Sequence, residues 1–382
     1  MKKILIIHTN YQEFGGEDQS VKNEINLLKN HYEVETLIET NNITSFFNDF
    51  FAILFRINFK FEKTLESKIN EFQPDFIYIH NIWYKISLSA FRVLKNYEIP
   101  TYLKIHNFRY YCTQSFFIKN HLKNKHICEA CGLRKNAYIL FNKYFSESYF
   151  KSFISILFGK KYFQILKSSK INLIVLTEFH KKFLLDLGVN KNKVNIIPNF
   201  IETHKKTHSS KEKNYFLYAG RISEEKGLYE LIKSFNRLNP KGISLKIIGN
   251  GPSLHSLKNK FVNKQNVEFL GTLKNNQVLE IMSKAKAVIT VTKLYEGQPT
   301  LLCEASSLGI PSIFPNTGGI KEFFPESYKL KFEQFNYEDL HNKLELCLDD
   351  EVSTTEGINN KNFISKILNE DFILEKFKET FV

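Results

Sequence analysis

Charged residues follow the end of a predicted strand in the segment Tyr218-Ala-Gly-Arg-Ile-Ser-Glu-Glu-Lys-Gly227, where Arg221 and Lys226 lie five residues apart. An arginine can bind a phosphate through two parallel hydrogen bonds, a lysine adds a point charge, and Gly220 allows close approach of the backbone. The segment is therefore a candidate clamp for a diphosphate. A solvated turn with incidental charges is the alternative interpretation.

Two glutamates lie eight residues apart in Leu294-Tyr-Glu-Gly-Gln-Pro-Thr-Leu-Leu-Cys-Glu304. Glu296 follows a predicted strand, and Glu304 lies about one turn inside the next predicted helix. Carboxylates accept hydrogen bonds from sugar hydroxyls, and the free amide groups at the helix start, near Thr300 and Leu301, suit phosphate oxygens. A nucleotide sugar presents the same order of groups. Taken alone, two glutamates at this spacing are more often surface charge.

Two glycine-containing loops accompany these segments. Gly249 and Gly251 stand between a predicted strand and a predicted helix, where a loop can line a base or a ribose. The third glycine and the later acidic residue of a dinucleotide-binding motif are absent, so the pair does not indicate that fold. Gly318 and Gly319 form a second loop further along the chain.

The elements that must position these residues repeat as strand, helix and strand in both halves of the chain. This pattern predicts parallel sheets with helices on both faces. The predicted strands are Lys3–His8, Val34–Glu39, Asp75–His80, Thr101–His106, Asn172–Thr177, Val194–Pro198, Asn214–Ala219, Ser244–Gly249, Val267–Gly271, Ala287–Thr292 and Pro311–Pro315.

We predict an α/β protein with two doubly wound, Rossmann-like domains that face a central cleft. The first domain covers residues 1–199 and contains a cysteine-bearing insertion at 107–165. A polar linker spans 200–213 and the second domain spans 214–364. A C-terminal helix follows at 365–382; the pattern leaves its destination open, and a return to the first domain is one alternative.

The chain has 382 residues and a net charge of +13, which favours polyanionic or phosphorylated partners. It contains no recognisable nucleic-acid-binding motif, so we expect no nucleic acid partner. The apolar run Ile4–Ile7 is too short for a signal peptide, and no apolar stretch reaches the length of a membrane span. We therefore expect a cytoplasmic protein that can touch the inner face of a membrane.

The ordered combination of these segments resembles glycosyltransferase family 4, whose members are retaining enzymes with the two-domain GT-B architecture. The resemblance rests on Gly220–Gly227, Glu296–Glu304 and Thr317–Glu322, and on Pro198-Asn199 before the linker. It covers nearly the whole chain, and it is to the branch that builds capsule, O-antigen and lipopolysaccharide.

The resemblance implies roles for individual residues of the second half. Arg221 and Lys226 would bind the donor diphosphate, Glu296 would contact the transferred sugar, and Glu304 would contact the ribose. Gly318 and Gly319 match a loop near the donor.

In the first half, Gly15 and Gly16 resemble the family's glycine loop that closes over the donor, although an ordinary helix start explains them too. His106 resembles the family's active-site histidine, and a structural role is the alternative. His80 also follows a predicted strand and has the same two interpretations, but it resembles the family's histidine less closely. Asn107 stands where the family often has aspartate, which leaves a histidine–carboxylate pair in doubt.

Two further features of the first half remain open between alternatives. Cys112, Cys128 and Cys131, with His121 or His126, could hold a structural zinc ion, or the cysteines could be free thiols. The segment Tyr138–Phe163 interleaves aromatic residues with lysines, which fits either a helix on an anionic membrane surface or core packing.

We expect a retaining hexosyltransferase that uses a UDP- or GDP-sugar donor and a lipid-linked or oligosaccharide acceptor in bacterial surface polysaccharide biosynthesis. No Asp-x-Asp motif ends a predicted strand, so we expect transfer without a catalytic metal and without a cofactor. A nucleotide-sugar epimerase on the same architecture and a non-catalytic donor-binding subunit are the alternatives.

Overall fold

The computed structural model describes residues 1–12, 15–42, 51–108, 149–168, 170–202, 214–262 and 266–381. Two compact units divide the chain: residues 1–200 together with 370–382, and residues 201–369. The described residues of each unit form a six-stranded sheet in which all paired strands run parallel. The prediction of two parallel α/β domains is confirmed.

The sheet of the first unit has the strand order β2-β1-β3-β4-β5-β6. Its strands are β1 (Lys3–Asn10), β2 (Glu33–Thr40), β3 (Phe76–Ile79), β4 (Thr101–Ile105), β5 (Asn172–Val175) and β6 (Val194–Ile196). The described helices of this unit are α1 (Gly16–Lys29), α2 (Phe59–Phe72), α3 (Ser89–Leu94), α4 (Tyr149–Lys167), α5 (Glu178–Asp186) and, from the end of the chain, α12 (Glu370–Thr380). The central strands form continuous buried apolar runs, as expected for a sheet that helices cover on both faces.

The sheet of the second unit has the strand order β12-β11-β10-β7-β8-β9. Its strands are β7 (Tyr215–Ala219), β8 (Ser244–Ile248), β9 (Val267–Gly271), β10 (Ala287–Ile289), β11 (Ser312–Asn316) and β12 (Lys331–Glu333). Its described helices are α6 (Leu228–Leu238), α7 (Leu254–Lys260), α8 (Asn275–Ser283), α9 (Thr300–Ser307), α10 (Tyr337–Leu346) and α11 (Asp350–Ile367).

Helix α12 belongs to the first unit although its sequence follows the second. Phe377 is fully buried against Tyr78 of β3, with ring centroids 5.8 Å apart. Phe381, just beyond the helix, stacks on Phe76 at 5.5 Å and packs against Tyr102 at 4.8 Å. The end of the chain thus completes the aromatic core of the first unit.

The sequence patterns predict neither β12 nor α11. β12 has three residues at a sheet edge, which is too short for an alternation pattern. α11 contains Gly357, a weak helix former, and a Cβ at that position would lie 2.2 Å from the carbonyl oxygen of Gly309. Gly357 therefore permits a close backbone contact, and its low helix propensity weakens the sequence pattern that would predict the helix.

No helix among the described ranges has the length and apolar character needed to cross a membrane. Residues Cys112, Cys128 and Cys131, with most of the predicted insertion, lie outside the described residues, as do residues 203–213 of the predicted linker. Of Tyr138–Phe163, the part that is described belongs to α4, in which Phe158 is buried while Phe150 and Phe153 are 62% and 38% exposed.

Candidate functional site

The strand order of the second sheet reverses between β7 and β10: β8 and β9 follow β7 on one side, whereas β10, β11 and β12 follow on the other. β7 and β10 are therefore neighbours in space although β8 and β9 lie between them in sequence. Ligands of doubly wound sheets bind beyond the carboxyl ends of the strands at such a point. β7 ends at Ala219, two residues before Arg221, and β10 ends at Ile289, seven residues before Glu296. The two predicted donor-binding segments therefore start from adjacent strands.

Lys226 and Glu296 contact each other directly. Lys226 closes a short 3-10 turn, and its Nζ lies 2.6 Å from Oε1 of Glu296. The hydroxyl of Thr292 donates to the same carboxylate oxygen at 3.0 Å. The Lys226 and Glu296 side chains are 26% and 27% exposed, so a ligand can reach both. Among the described residues Oε2 of Glu296 has no hydrogen-bond donor, and it can accept one from a hydroxyl group.

Thr292 lies inside the predicted strand but outside the observed one, because β10 ends at Ile289. The Thr292 hydroxyl accepts a hydrogen bond from the amide of Leu294 at 3.2 Å while donating to Glu296. This local turn takes the chain out of the sheet and fixes the glutamate. Sequence reasoning did not single out Thr292, although short hydroxyl side chains often form such turns after strands.

Arg221 follows β7 and is exposed, and its guanidinium forms no hydrogen bond or ion pair with any described residue. Its backbone is fixed, since the buried Tyr218 hydroxyl donates to the Arg221 carbonyl oxygen at 2.8 Å. An anchored backbone with a solvent-exposed guanidinium suits capture of a phosphate from solution.

Gly249 and Gly251 allow two loops to pack backbone to backbone. A Cβ on Gly249 would lie 1.9 Å from the carbonyl oxygen of Gly220, and one on Gly251 would lie 2.3 Å from that of Ile222. The Ile222 amide donates to the carbonyl oxygen of Asn250 at 2.8 Å, which ties the loops together. Loop packing alone thus accounts for both glycines, and a role in lining a base or ribose stays a prediction.

The second glycine loop packs against the backbone of Glu296. The Gly319 amide donates to the Glu296 carbonyl oxygen at 2.9 Å, and a Cβ on Gly318 would lie 2.3 Å from that oxygen. Gly318 has a φ of +58°, in the left-handed region that favours glycine. The loop therefore holds the glutamate in place, whether or not it also touches a ligand.

Helix α9 begins at Thr300 after Pro299, and the amides of Leu302 and Cys303 donate to the Pro299 carbonyl oxygen. The earlier amides of Thr300 and Leu301 form no hydrogen bond to the backbone of any described residue, so they are available to an anion. Glu304 lies one turn further along the helix. Burial raises the pKa of its carboxyl to about 7.

The first unit gathers three histidines at the corresponding switch point, where β1 and β3 are neighbours. His8 lies in β1, while His80 and His106 follow β3 and β4. Nδ1 of His80 lies 3.0 Å from Nε2 of His106, and Nε2 of His8 lies 2.9 Å from Oδ1 of Asp18. His106 therefore has a histidine partner, where the sequence left a carboxylate partner in doubt.

Burial lowers the pKa values of His80 and His106 well below their usual range. The positive charge of Lys104 lowers both further, as does the neighbouring His8. Both rings are accordingly neutral at neutral pH.

A buried ionic cluster lies beneath these histidines. Glu24 of α1 accepts hydrogen bonds from Lys104 of β4 and, at 2.9 Å, from the Tyr78 hydroxyl of β3. The Glu24 and Lys104 side chains are fully buried. The sequence carried a signal for this pair, since Lys104 interrupts the apolar run of β4, and a lysine is rarely buried without a carboxylate partner.

An open pocket of about 450 Å³ lies at the same end of the sheet. His80 and His106 line it together with Asn107, Lys104 and the aromatic side chains of Trp83, Phe158 and Tyr162. A lining of aromatic rings with a few polar groups is typical of sites for small organic ligands.

Gly15 and Gly16 lie at the start of α1, as the sequence predicted. The Gly15 amide donates to Oδ2 of Asp18 at 2.9 Å, and the backbone of Gly15 is extended, which any residue can adopt. The observed geometry is that of a capped helix start, and a role over the donor stays a prediction.

Residues 199–365 match the family model described as "Glycosyl transferases group 1". The chain is 34% identical to the uncharacterized glycosyltransferase MJ1059 of Methanocaldococcus jannaschii, over 44% of this chain and 45% of the relative. It is 26% identical to the O-antigen biosynthesis glycosyltransferase WbnH of Escherichia coli, over 44% of this chain and 48% of the relative. The matches thus span about half the length of these curated relatives.

Anabaena Alr3699/HepE, solved with UDP and glucose, is similar over the full length of this chain and 99% of its own, with a TM-score of 0.70 at 15% identity. That likeness shows the fold. The match shows that residues 199–365 form a domain of the group 1 glycosyltransferase family, and the likeness to HepE shows that the chain has the GT-B fold.

Proposed function

We propose that the chain is a retaining glycosyltransferase, which moves a hexosyl unit from a UDP- or GDP-sugar to a lipid-linked or oligosaccharide acceptor in bacterial surface polysaccharide biosynthesis. The contact between Lys226 and Glu296 carries this proposal. It joins a cation for a diphosphate to a carboxylate for a sugar at the switch point of the second sheet, and the exposed Arg221 precedes this cation by five residues.

The remaining groups of the second unit follow the order of a nucleotide sugar. We assign the diphosphate to Arg221, Lys226 and the amides of Thr300 and Leu301, and the transferred sugar to Glu296. Glu304 would accept hydrogen bonds from the ribose. Gly249 and Gly251 would lie along the nucleoside, and Gly318 and Gly319 would hold Glu296 against the donor.

The chemistry required of these residues is mainly electrostatic. Cleavage of the bond between sugar and diphosphate leaves negative charge on the departing phosphate, and preorganised cations and amides stabilise that charge without reorganisation. Because two cationic side chains supply this stabilisation, we propose that transfer needs no divalent metal. Activity lost in EDTA and restored by Mg²⁺ or Mn²⁺ would contradict this.

In the first unit we assign His106 to the reacting sugars, with Gly15 and Gly16 close to the donor. His106 lines the pocket and is neutral, so it can exchange hydrogen bonds with hydroxyl groups. His106→Ala should lower kcat by more than it raises the KM for the donor.

The acceptor assignment draws on a relative and on a surface. The similar protein WbnH is described as an O-antigen biosynthesis glycosyltransferase. Phe150 and Phe153 are exposed on α4, and the same helix carries Lys160 and Lys161. We propose that this helix contacts an anionic membrane, on its cytoplasmic face, where a lipid-linked acceptor would be found. Replacing both phenylalanines by serine should reduce sedimentation with anionic vesicles and leave donor binding unchanged.

The cysteines Cys112, Cys128 and Cys131 carry a separate proposal of structural zinc. Elemental analysis of the purified protein should find about one zinc ion per chain, and the triple serine variant should lose it. Three more reactive thiols in the native protein than in the triple serine variant, counted by a thiol reagent, would contradict the proposal.

The decisive experiment is a binding screen followed by a transfer assay. Thermal shift should show one nucleotide class, among UDP-, GDP-, ADP- and dTDP-sugars, that stabilises the protein. A donor present at 100 times its Kd adds about 2.7 kcal/mol to stability. Epimerisation without an acceptor would favour the epimerase, and binding without turnover against any acceptor pool would favour the non-catalytic subunit. Retention of the anomeric configuration is read from the product by NMR.

A further inference from the structure

The hydrogen bond between His80 and His106 has a direction that the surrounding charges decide. Each neutral imidazole carries a single N–H, so only one of the two facing nitrogens, Nδ1 of His80 or Nε2 of His106, is the donor. If His80 donates, Nε2 of His106 accepts and Nδ1 of His106 carries the proton. If His106 donates through Nε2, its Nδ1 carries no proton. The choice therefore sets whether Nδ1 of His106 offers a proton or a lone pair.

The second nitrogen of His80 faces the carboxylate of Glu24. Its Nε2 lies 4.0 Å from Oε2 of Glu24, is buried, and has no hydrogen-bond partner among the described residues. A proton on this nitrogen is attracted by the carboxylate, whereas a lone pair there is repelled by it. The low dielectric of the buried site strengthens this preference.

Lys104 and Tyr78 fix the carboxylate in this position. Lys104 bonds to Oε1 of Glu24, and the Tyr78 hydroxyl donates to Oε2 at 2.9 Å. The ring of His80 also packs on that of Tyr78, with centroids 4.3 Å apart. The orientation of His80 relative to Glu24 is thus set by three neighbouring elements: α1, β3 and β4.

We infer that Glu24 is a positioning residue, which places the proton of His80 on Nε2 so that His106 donates through Nε2 and presents an unprotonated Nδ1 to the pocket. No described residue forms a hydrogen bond with Nδ1 of His106, and the residue lines the pocket. The site then recognises a ligand hydroxyl as a hydrogen-bond donor. This inference rests on the proposed function for the identity of that ligand, a sugar, but not for the state of the rings.

The protonation states can be measured on the unliganded protein by long-range 1H–15N correlation spectra after labelling of the histidines. The chain has 11 histidines, so the His106→Gln and His80→Gln variants assign the two rings. We expect Nδ1 of His106 at the low-field position of an unprotonated imidazole nitrogen and Nε2 at that of an N–H. The excess over the other tautomer should be at least tenfold, about 1.4 kcal/mol. A protonated Nδ1 on His106 overturns the inference.

The role of Glu24 is tested by replacing it together with its cation. Glu24→Gln alone leaves a buried ammonium unpaired and can unfold the unit, so the double variant Glu24→Gln/Lys104→Met is the informative one. In this variant the excess of the His106 tautomer protonated on Nε2 over the one protonated on Nδ1 should fall at least threefold. It should not change in the control Glu35→Gln/Lys68→Met, which removes a partly exposed ion pair of the same unit. An unchanged tautomer in a folded Glu24→Gln/Lys104→Met variant would exclude Glu24 as the cause.

Because these spectra require neither donor nor acceptor, their outcome is separate from that of the transfer assay. A protein with the expected tautomers and no transferase activity would retain this inference and lose the proposed function. An active transferase with a protonated Nδ1 on His106 would do the reverse.

Discussion

The carbonyl oxygen of Glu296 accepts a hydrogen bond from the amide of Gly319 at 2.9 Å, and it lies 2.3 Å from the position that a Cβ on Gly318 would occupy. Two motifs separated by more than 20 residues therefore meet through their backbones. The side chain of Glu296 faces Lys226 while its carbonyl group is held by the glycine loop. Glu296 is therefore held both through its side chain and through its backbone.

Gly318→Ala should therefore disturb Glu296 as well as the loop. The added methyl group collides with a backbone oxygen that cannot move without shifting Glu296, and overpacking of this kind costs about 1–3 kcal/mol. In a unit of about this size the midpoint of thermal unfolding should fall by about 2–4 °C per kcal/mol. Donor affinity, measured by calorimetry, should fall as well.

Gly242→Ala is the matched control for this change. Gly242 has a φ of +71°, comparable to that of Gly318, but no atom lies within 4 Å of its Cβ position. It should show the backbone cost of about 1–2 kcal/mol and leave donor affinity unchanged. Equal losses of affinity in the two variants would mean that the contact with Glu296 is irrelevant to binding.

Lys226→Met should weaken donor binding by about 10- to 100-fold, since a hydrogen bond to a charged group contributes about 1.5–3 kcal/mol. The stability of the free protein should change little, because the ion pair with Glu296 is partly exposed. Lys233→Met removes the same charge from an exposed position on α6 and serves as the control. A comparable loss of donor affinity in both variants would mean that the net positive charge of the protein, and not a direct contact with Lys226, attracts the donor.

The parallel sheets could be predicted from the sequence because each strand is a short apolar run between helical patterns. The order of the charged segments along the chain was also sufficient to place Arg221, Lys226 and Glu296 at one end of one sheet. The direct contact between Lys226 and Glu296 could not be predicted, since it depends on how β7 and β10 pair and on the turn at Thr292.

The glycines show a different limit of sequence reasoning. The motifs of Gly249, Gly251 and Gly318 indicate loops near the donor, and the structure adds that a neighbouring backbone oxygen lies close to each Cβ position. A sequence reveals that a side chain is excluded but not what excludes it. Glu24 could not be identified as the partner of Lys104 for a related reason, since the two residues lie 80 positions apart in the sequence and meet only in the folded unit.

Phe377→Ala should destabilise the first unit although the residue lies in the last turns of the chain. Its ring is fully buried against Tyr78, and removal of a buried phenylalanine ring costs about 3–5 kcal/mol. Loss of near-UV circular dichroism at a lower denaturant concentration is the measurement. Lys378→Ala, at an exposed position of the same helix, should leave the transition unchanged. An unaffected Phe377→Ala variant would show that α12 contributes nothing to the stability of this unit.

Glu304 gives the donor site a pH dependence that can be worked out from its burial. Burial raises the pKa of its carboxyl to about 7, and an ionised carboxylate accepts hydrogen bonds from both ribose hydroxyls, whereas the protonated form does so less well. Donor affinity should therefore rise with pH up to about 7 and level off above it. In Glu304→Gln the affinity should be lower at pH 8 and independent of pH from 5.5 to 8.

The stability of the free protein should fall as pH rises, whereas donor affinity should increase. In the unfolded chain this carboxyl titrates near about 4.3, so between that pH and about 7 the folded state holds a proton that the unfolded state has released. Stability then falls as pH rises through this window, by at most about 4 kcal/mol at pH 8. Glu304→Gln removes this cost, so the variant should gain thermal stability over wild type at pH 8 and lose the gain at pH 5. Glu333→Gln, at an exposed position of β12, should show no such pH-dependent difference, and a parallel pair of curves for Glu304→Gln and wild type would contradict the raised pKa.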